Sequence, residues 1–178
     1  LGDVYKRQVY DKLMALEIEP VVQVYEAKDC MLYALGVGLG HDPTSEDELA
    51  FVYEKNLKVL PTMATVIGHS TALARNPNTG IDWLMVVNGE QGFTLRRPLK
   101  GQDAVIGRTR IVEVIDKGPG KGALLLLERT ITEKASGDLI GAVTQTIFCR
   151  GDGGFGGPPR EAPPPPPIPA RTPDAVCD

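Results

Sequence analysis

The stretch VLPTMATVIGHSTALA, Val59–Ala74, carries no Lys, Arg, Asp or Glu. Apolar or small residues (Val59, Leu60, Met63, Ala64, Val66, Ile67, Ala72, Leu73) fall on every side of a helical wheel, and a segment apolar all round belongs in an interior. It is shorter than the roughly 20 apolar residues of a membrane span. Pro61 suits the first turn of a helix, where its missing N–H costs nothing. Arg75 and then Asn76-Pro77-Asn78 form a stop. The reading is a buried core helix, although Thr65, Val66, Ile67 and Gly68 are poor helix formers.

Strand-like segments surround it. Val21–Tyr25 (VVQVY) reads as a short strand, and Lys28–Leu39 as a helix that Asp29 can cap. Thr44–Glu48 is an acidic turn, and Leu49–Tyr53 is a short strand or one turn of helix. Downstream lie four longer runs, Leu84–Arg97, Ala104–Ile115, Ala123–Ile131 and Leu139–Arg150. They are joined by short turns, which favours antiparallel neighbours. Gly89 and Gly92 interrupt the first run, as at a bulge or a place where a ligand comes close. The fold class expected is α+β: a curved antiparallel sheet wrapped around one core helix.

The chain has 178 residues with a net charge of −4; 42% are hydrophobic and 24% charged, enough for one domain with a core. An acidic balance argues against nucleic acid as the main partner. Cys30, Cys149 and Cys177 show no metal-ligand spacing, so neither a structural metal nor a disulfide framework is expected. No apolar signal segment and no membrane stretch is present. Residues 1–12 are read as a leader outside the fold, 13–151 as the domain, and 152–178, with its proline run Pro163–Pro167, as a semi-rigid linker. A linker that leads only to Asp178 suggests that a further domain followed.

Four stretches together resemble the N-terminal half of MaoC-like enoyl-CoA hydratases, the group that includes the hydratase 2 unit of peroxisomal multifunctional enzymes. They are YALGVGLG (Tyr33–Gly40), FVYE…VLPT (Phe51–Thr62), NGEQ followed by RRPL (Asn88–Leu99), and DKGPGKGALL (Asp116–Leu125), closed by RGDGGFGGP. The resemblance implies a hot-dog fold, paired with a second, C-terminal hot-dog repeat. The reaction implied is reversible hydration of trans-2-enoyl-CoA to (3R)-hydroxyacyl-CoA in fatty-acid β-oxidation, with no cofactor beyond the coenzyme A thioester itself. A homodimer is also expected. The compartment would be peroxisomal in a eukaryote and cytoplasmic in a bacterium.

In that family the catalytic motif G-D-x-N-P-x-H lies on the C-terminal repeat, and it is absent from this chain. No catalytic residue is therefore expected here beyond an accessory role for Glu54, which matches a family glutamate. Asn88 and Gly89 fall where the family has a His-Gly pair that contacts coenzyme A, and Lys117 matches another coenzyme A position. Each also has a plain reading: Glu54 as a carboxylate pairing locally, Asn88-Gly89 as a sheet-curving bulge, Lys117 as a solvated turn lysine. Two other functions compete, a non-catalytic pairing module and an acyl-CoA thioesterase. The latter calls for a carboxylate on the core stretch, which Val59–Ala74 lacks.

Overall fold

A computed structural model describes residues 10–156, 164, 167–173 and 176. Residues 1–9 of the expected leader and 13 of the 27 residues of the expected linker lie outside the described residues. Residues 10–14 form a short helix, α1, so the described fold takes in the last three residues of that leader. The Tyr10 ring stacks on Phe155, centroids 5.8 Å apart, and Leu13 is buried.

Strand β1 is Val21–Tyr25. Helix α2, Ala27–Gly36, opens with a reciprocal capping box between Glu26 and Asp29, so Asp29 acts from the third position and not as the cap itself. Part of the expected acidic turn is the first turn of helix α3, Glu46–Val52, where Ser45 accepts from the Glu48 N–H and the three acidic residues Glu46, Asp47 and Glu48 meet the positive end of the helix.

The four expected long strands are β2 (Val86–Leu95), β3 (Asp103–Asp116), β4 (Ala123–Glu133) and β5 (Leu139–Cys149). With β1 they make one antiparallel sheet in the order β1-β3-β4-β5-β2. Register shifts at Asn88/Glu90 and Ile111/Glu113 insert an extra residue on one strand, which bends and twists a sheet locally. Along β4, Ala123, Leu125, Leu127, Arg129 and Ile131 all turn to the buried face, called the inner face below.

Two apolar clusters share that inner face. One joins Tyr25, Cys30, Met63, Ala64, Ile67, Val105, Ile131, Ile140 and Val143. The other joins Leu13, Leu73, Ile111, Val114, Leu125, Leu127, Ile147 and Cys149. Between them on β4 stands Arg129.

The stretch Val59–Ala74 is interior, but it is not one helix. Pro61–Thr65 is a 3-10 turn, a turn follows through Gly68, and helix α4, Ala72–Arg75, closes the segment. Met63, Ala64 and Ile67 are buried, whereas Val66 is 50% exposed. Gly68 sits at φ +61°, a left-handed conformation that ends a right-handed helix. Its backbone rests against Gly107 of β3, a contact that a regular helix carrying side chains would not allow.

Candidate functional site

The core stretch makes only 3-10 and short helical turns, and part of the inner face is left open. A cavity of about 460 Å³ lies against the β3 and β4 ends, lined by Leu13, Ile81, Val114, Leu125, Cys149 and Asp152 among others. A second cleft of about 200 Å³ lies further along the strands, with Leu73, Trp83, Leu127, Arg129, Gln145 and Ile147 in its wall. The walls are mostly apolar, as expected of a pocket for a hydrocarbon chain.

The polar groups in these walls are few and perturbed. Burial, reinforced by the charge of Asp152, pushes the Cys149 thiol up to about 12, so it stays protonated and unreactive at neutral pH. Asp152 is itself shifted upward, chiefly by burial; its Oδ2 accepts the Asp82 N–H at 3.2 Å. His69 is held below the usual histidine range by burial and then by the Arg129 charge, which keeps it neutral at pH 7. Arg129, only 5% exposed, donates from Nη2 to the carbonyl oxygens of Ala64 and Thr65 at 3.1 and 2.7 Å. Burial lowers its pKa, yet a guanidinium remains charged at neutral pH.

The outer face carries a different groove, about 340 Å³, between β2, β5, β4 and the end of β3. Ile115, Leu124, Leu126 and Phe148 make an apolar floor, with Gly89, Glu90 and Lys117 around it. Gly89 is the bulged residue of β2; a Cβ there would come within 3.1 Å of the Thr146 carbonyl oxygen. Lys117 is exposed at the start of the turn after β3, and its N–H donates to the Gly122 carbonyl at 3.1 Å. Asp116 fixes that turn: Oδ1 accepts from the Gly118 and Gly154 N–H groups at 2.9 and 2.7 Å, and Oδ2 from Gly156 at 2.9 Å.

The four residues singled out from sequence are thus divided. Gly89 and Lys117 come together on the outer groove. Asn88 pairs in register with Ile147 and so shares the inner face; its Oδ1 accepts from Gln145 Nε2 at 3.0 Å, and Gln145 lines the second cleft. Glu54 is exposed in the bend after α3, apart from all three cavities. Arg129 and Gln145 are what sequence reasoning overlooked. The signal was the period-two pattern of β4, which puts position 129 in line with Leu125, Leu127 and Ile131. No group of three His, Cys, Asp or Glu among the described residues could hold a metal ion.

A curved five-stranded antiparallel sheet in this order, with its core stretch laid on the inner face and apolar clefts beside it, defines the hot-dog class. The fold matches a MaoC-like dehydratase from Phytophthora capsici with a TM-score of 0.69 and 25% identity, over 92% of this chain and 57% of that one. It also matches the full-length peroxisomal multifunctional enzyme type 2 of Drosophila melanogaster, TM-score 0.64 at 23% identity, over 88% of this chain and 26% of that one. The chain belongs to the MFE-2 hydratase 2 N-terminal domain family, whose sequence profile matches residues 24–151.

Among curated relatives, the peroxisomal enoyl-CoA hydratase 2 of Arabidopsis thaliana is 35% identical over 152 residues, which is 82% of this chain and 48% of the relative. The 3-hydroxyacyl-thioester dehydratase Y of Mycobacterium tuberculosis is 34% identical over 164 residues, 90% of this chain and 54% of the relative. The chain therefore spans about half the length of these relatives. No helix among the described residues is long and apolar enough to cross a membrane.

Proposed function

We propose that the chain is the acyl-binding N-terminal half of a 2-enoyl-CoA hydratase, acting in fatty-acid oxidation on trans-2-enoyl-CoA to give the (3R)-hydroxyacyl-CoA. The observation that carries this reading is the open inner face: two mostly apolar clefts, one of them bordered by residues 69–74 where the core stretch stops short of a continuous helix, in a chain lacking the family's acid/base motif.

Hydration of an enoyl thioester needs a base to hold water at Cβ and donors to stabilise the enolate oxygen as charge develops. A second hot-dog repeat supplies both. This half supplies the wall for the hydrocarbon, with Val114, Leu125, Leu127 and Ile147 facing it. It also supplies contacts to the coenzyme A portion: Lys117 toward a phosphate, and Gly89 where the absent side chain allows a close approach. Asn88 contributes a hydrogen bond in place of a histidine, and Glu54 acts as an accessory carboxylate at most. Adding water across a double bond moves no electrons to an acceptor, so no cofactor is required.

The second repeat pairs along β2. That strand ends the sheet with one side of its ladder open, and an unpaired edge is a template for a further strand. Leu84, Met85 and Val87 on and beside it are exposed apolar residues that such a partner would cover. The complete protein is a homodimer in this reading, peroxisomal in a eukaryote and cytoplasmic in a bacterium.

The test is spectrophotometric hydration of crotonyl-CoA. The full polypeptide that carries this chain is expected to turn over, and the 178-residue chain alone is not. Turnover by the isolated chain well above background, or none by the full polypeptide, refutes the proposal. Thioester hydrolysis in place of hydration supports the thioesterase alternative.

A further inference from the structure

Arg129 is a buried cation whose charge no carboxylate among the described residues meets. Taking a guanidinium out of water is costly unless it is paired and its donors are used. Two backbone carbonyls at the end of the Pro61–Thr65 turn use Nη2 and so pin that turn to β4. That accounts for one nitrogen of three. Nε is buried with no acceptor, and Arg129 makes no ion pair among the described residues.

Among the described residues, no acidic side chain lines the cleft in front of it. Its polar lining, His69, Thr109 and Gln145 among them, adds hydrogen-bonding groups and no compensating negative charge; the rest, including Leu73, Leu127 and Ile147, is apolar. About 200 Å³ holds a handful of waters at about 30 Å³ each, or a carboxylate on a short hydrocarbon stem. The cleft lies next to the larger cavity in the order of β4 positions. Leu125 lines the first and Leu127 and Arg129 the second, on successive inward positions of β4. From Leu125 to Arg129 is about 13 Å along a strand, within the span of a medium-length acyl chain.

We infer that the Arg129 cleft is a subsite for a carboxylate at the far end of the acyl group, so that ω-carboxyacyl thioesters are favoured over methyl-ended ones. The inference rests on the reading of the inner face as the acyl-binding wall. The apolar stem lies on Leu125 and Leu127, and the terminal carboxylate meets the guanidinium and replaces the missing counter-charge, with Gln145 and Thr109 beside it.

The experiment measures binding of suberyl-CoA and octanoyl-CoA by calorimetry to the full polypeptide that carries this chain, alongside hydration of trans-2-octenoyl-CoA. The wild-type protein is expected to prefer suberyl-CoA by about 10- to 100-fold, the range of a hydrogen bond between charged groups. Arg129→Met is expected to abolish that preference, read as the ratio of suberyl-CoA to octanoyl-CoA affinity within the same variant, which a general loosening of the cleft lowers for both ligands alike and does not move. If Arg129→Met does not fold, Thr109→Asp answers the same question by placing a carboxylate of the protein's own in the cleft; it too is expected to erase the preference. Equal wild-type affinities, or a preference that survives in a folded variant, overturn the subsite. Hydration of trans-2-octenoyl-CoA without a suberyl-CoA preference keeps the hydratase reading and sinks the subsite alone. Free suberate bound in an Arg129-dependent way, with no hydration of the enoyl thioester, keeps a carboxylate site and sinks the hydratase reading. Suberate bound where suberyl-CoA is not overturns the acyl-borne source.

Discussion

Replacing Gly107 by alanine is expected to be among the most damaging single-methyl changes in this chain. The added Cβ would lie 2.0 Å from the Gly68 carbonyl oxygen, with the Gly68 carbonyl carbon and Cα at 2.7 and 2.8 Å. These are backbone atoms, so no rotamer change relieves the clash. Gly68 cannot easily retreat. Its N–H donates to Gln23 Oε1 at 2.7 Å, and its φ of +61° already uses a conformation that glycine tolerates best. Overpacking a tight interior costs about 1–3 kcal/mol, and loss of the Gly68–Gln23 bond adds about 1 kcal/mol. The total of about 2–4 kcal/mol corresponds to a fall in Tm on the order of 5–15 °C for a domain of this size. Urea unfolding followed by the fluorescence of Trp83, the chain's one tryptophan, gives the free energy directly. Gly36→Ala is the control: nothing lies within 4 Å of its added methyl, and it sits at the end of α2. It should be neutral or stabilising by up to about 1 kcal/mol. If Gly107→Ala unfolds within about 0.5 kcal/mol of wild type, like an ordinary surface change, the Gly68–Gly107 contact is not what seats the core turn.

Three further outcomes are expected. Asp116→Asn should cost about 1–3 kcal/mol, because an amide nitrogen would face one of the three N–H groups that the carboxylate now accepts; amide exchange at Gly118, Gly154 and Gly156 should accelerate, and unchanged protection would count against this role. Asp152 has a raised folded-state pKa, so its contribution is fully present below the unfolded carboxylate range and is lost as pH rises through the folded value. Asp152→Asn should accordingly be more stable than wild type at pH 7, with the difference shrinking toward pH 4, a trend that stability curves at the two pH values would reverse if the reasoning is wrong. Cys149, buried and pushed up to about 12, should resist iodoacetamide at pH 8 in the native protein and react only after unfolding, as peptide mass spectrometry would show.

The strands were legible because period-two alternation and the turn residues agreed. KASGD, Lys134–Asp138, contains Gly137 at φ +80° and closes the β4–β5 hairpin as expected. The bulge at Gly89 was legible for the same kind of reason: a glycine inside an otherwise strand-like run. The length of the core helix was not. Absence of charge reports burial, and burial is shared by a 3-10 turn, a loop and a helix; the deciding feature, the close pass of Gly68 over Gly107, joins residues far apart in the chain. Asn88 could be assigned to a strand from sequence, but which face it shows depends on the bulge next to it, because one extra residue flips the alternation. Arg129 escaped notice because a lone arginine in an alternating run reads as solvent-facing unless the inward register is counted from Leu125 and Leu127.

A cavity in a domain of this size has to be held open by something. If the larger space were dry and sealed, a penalty of about 24 cal/mol per Å³ over about 460 Å³ would reach about 11 kcal/mol, as large as the whole stability of a typical domain. The space must therefore be filled by solvent, ligand or a neighbouring chain, and its rim must resist collapse. Three restraints flank the two clefts without side-chain bulk: the Asp116 ties to the 154–156 segment beside the larger one, and the Arg129 bonds to Ala64 and Thr65 with the Gly68–Gly107 backbone contact beside the smaller. All three bind polar or backbone groups at the edges of the apolar clusters, where hydrophobic contraction would otherwise close the gap. The same logic explains why the core turn is short. A longer helix over Gly68–Thr71 would occupy the volume in front of Arg129, so the clefts and the broken helix are two descriptions of one choice in the chain.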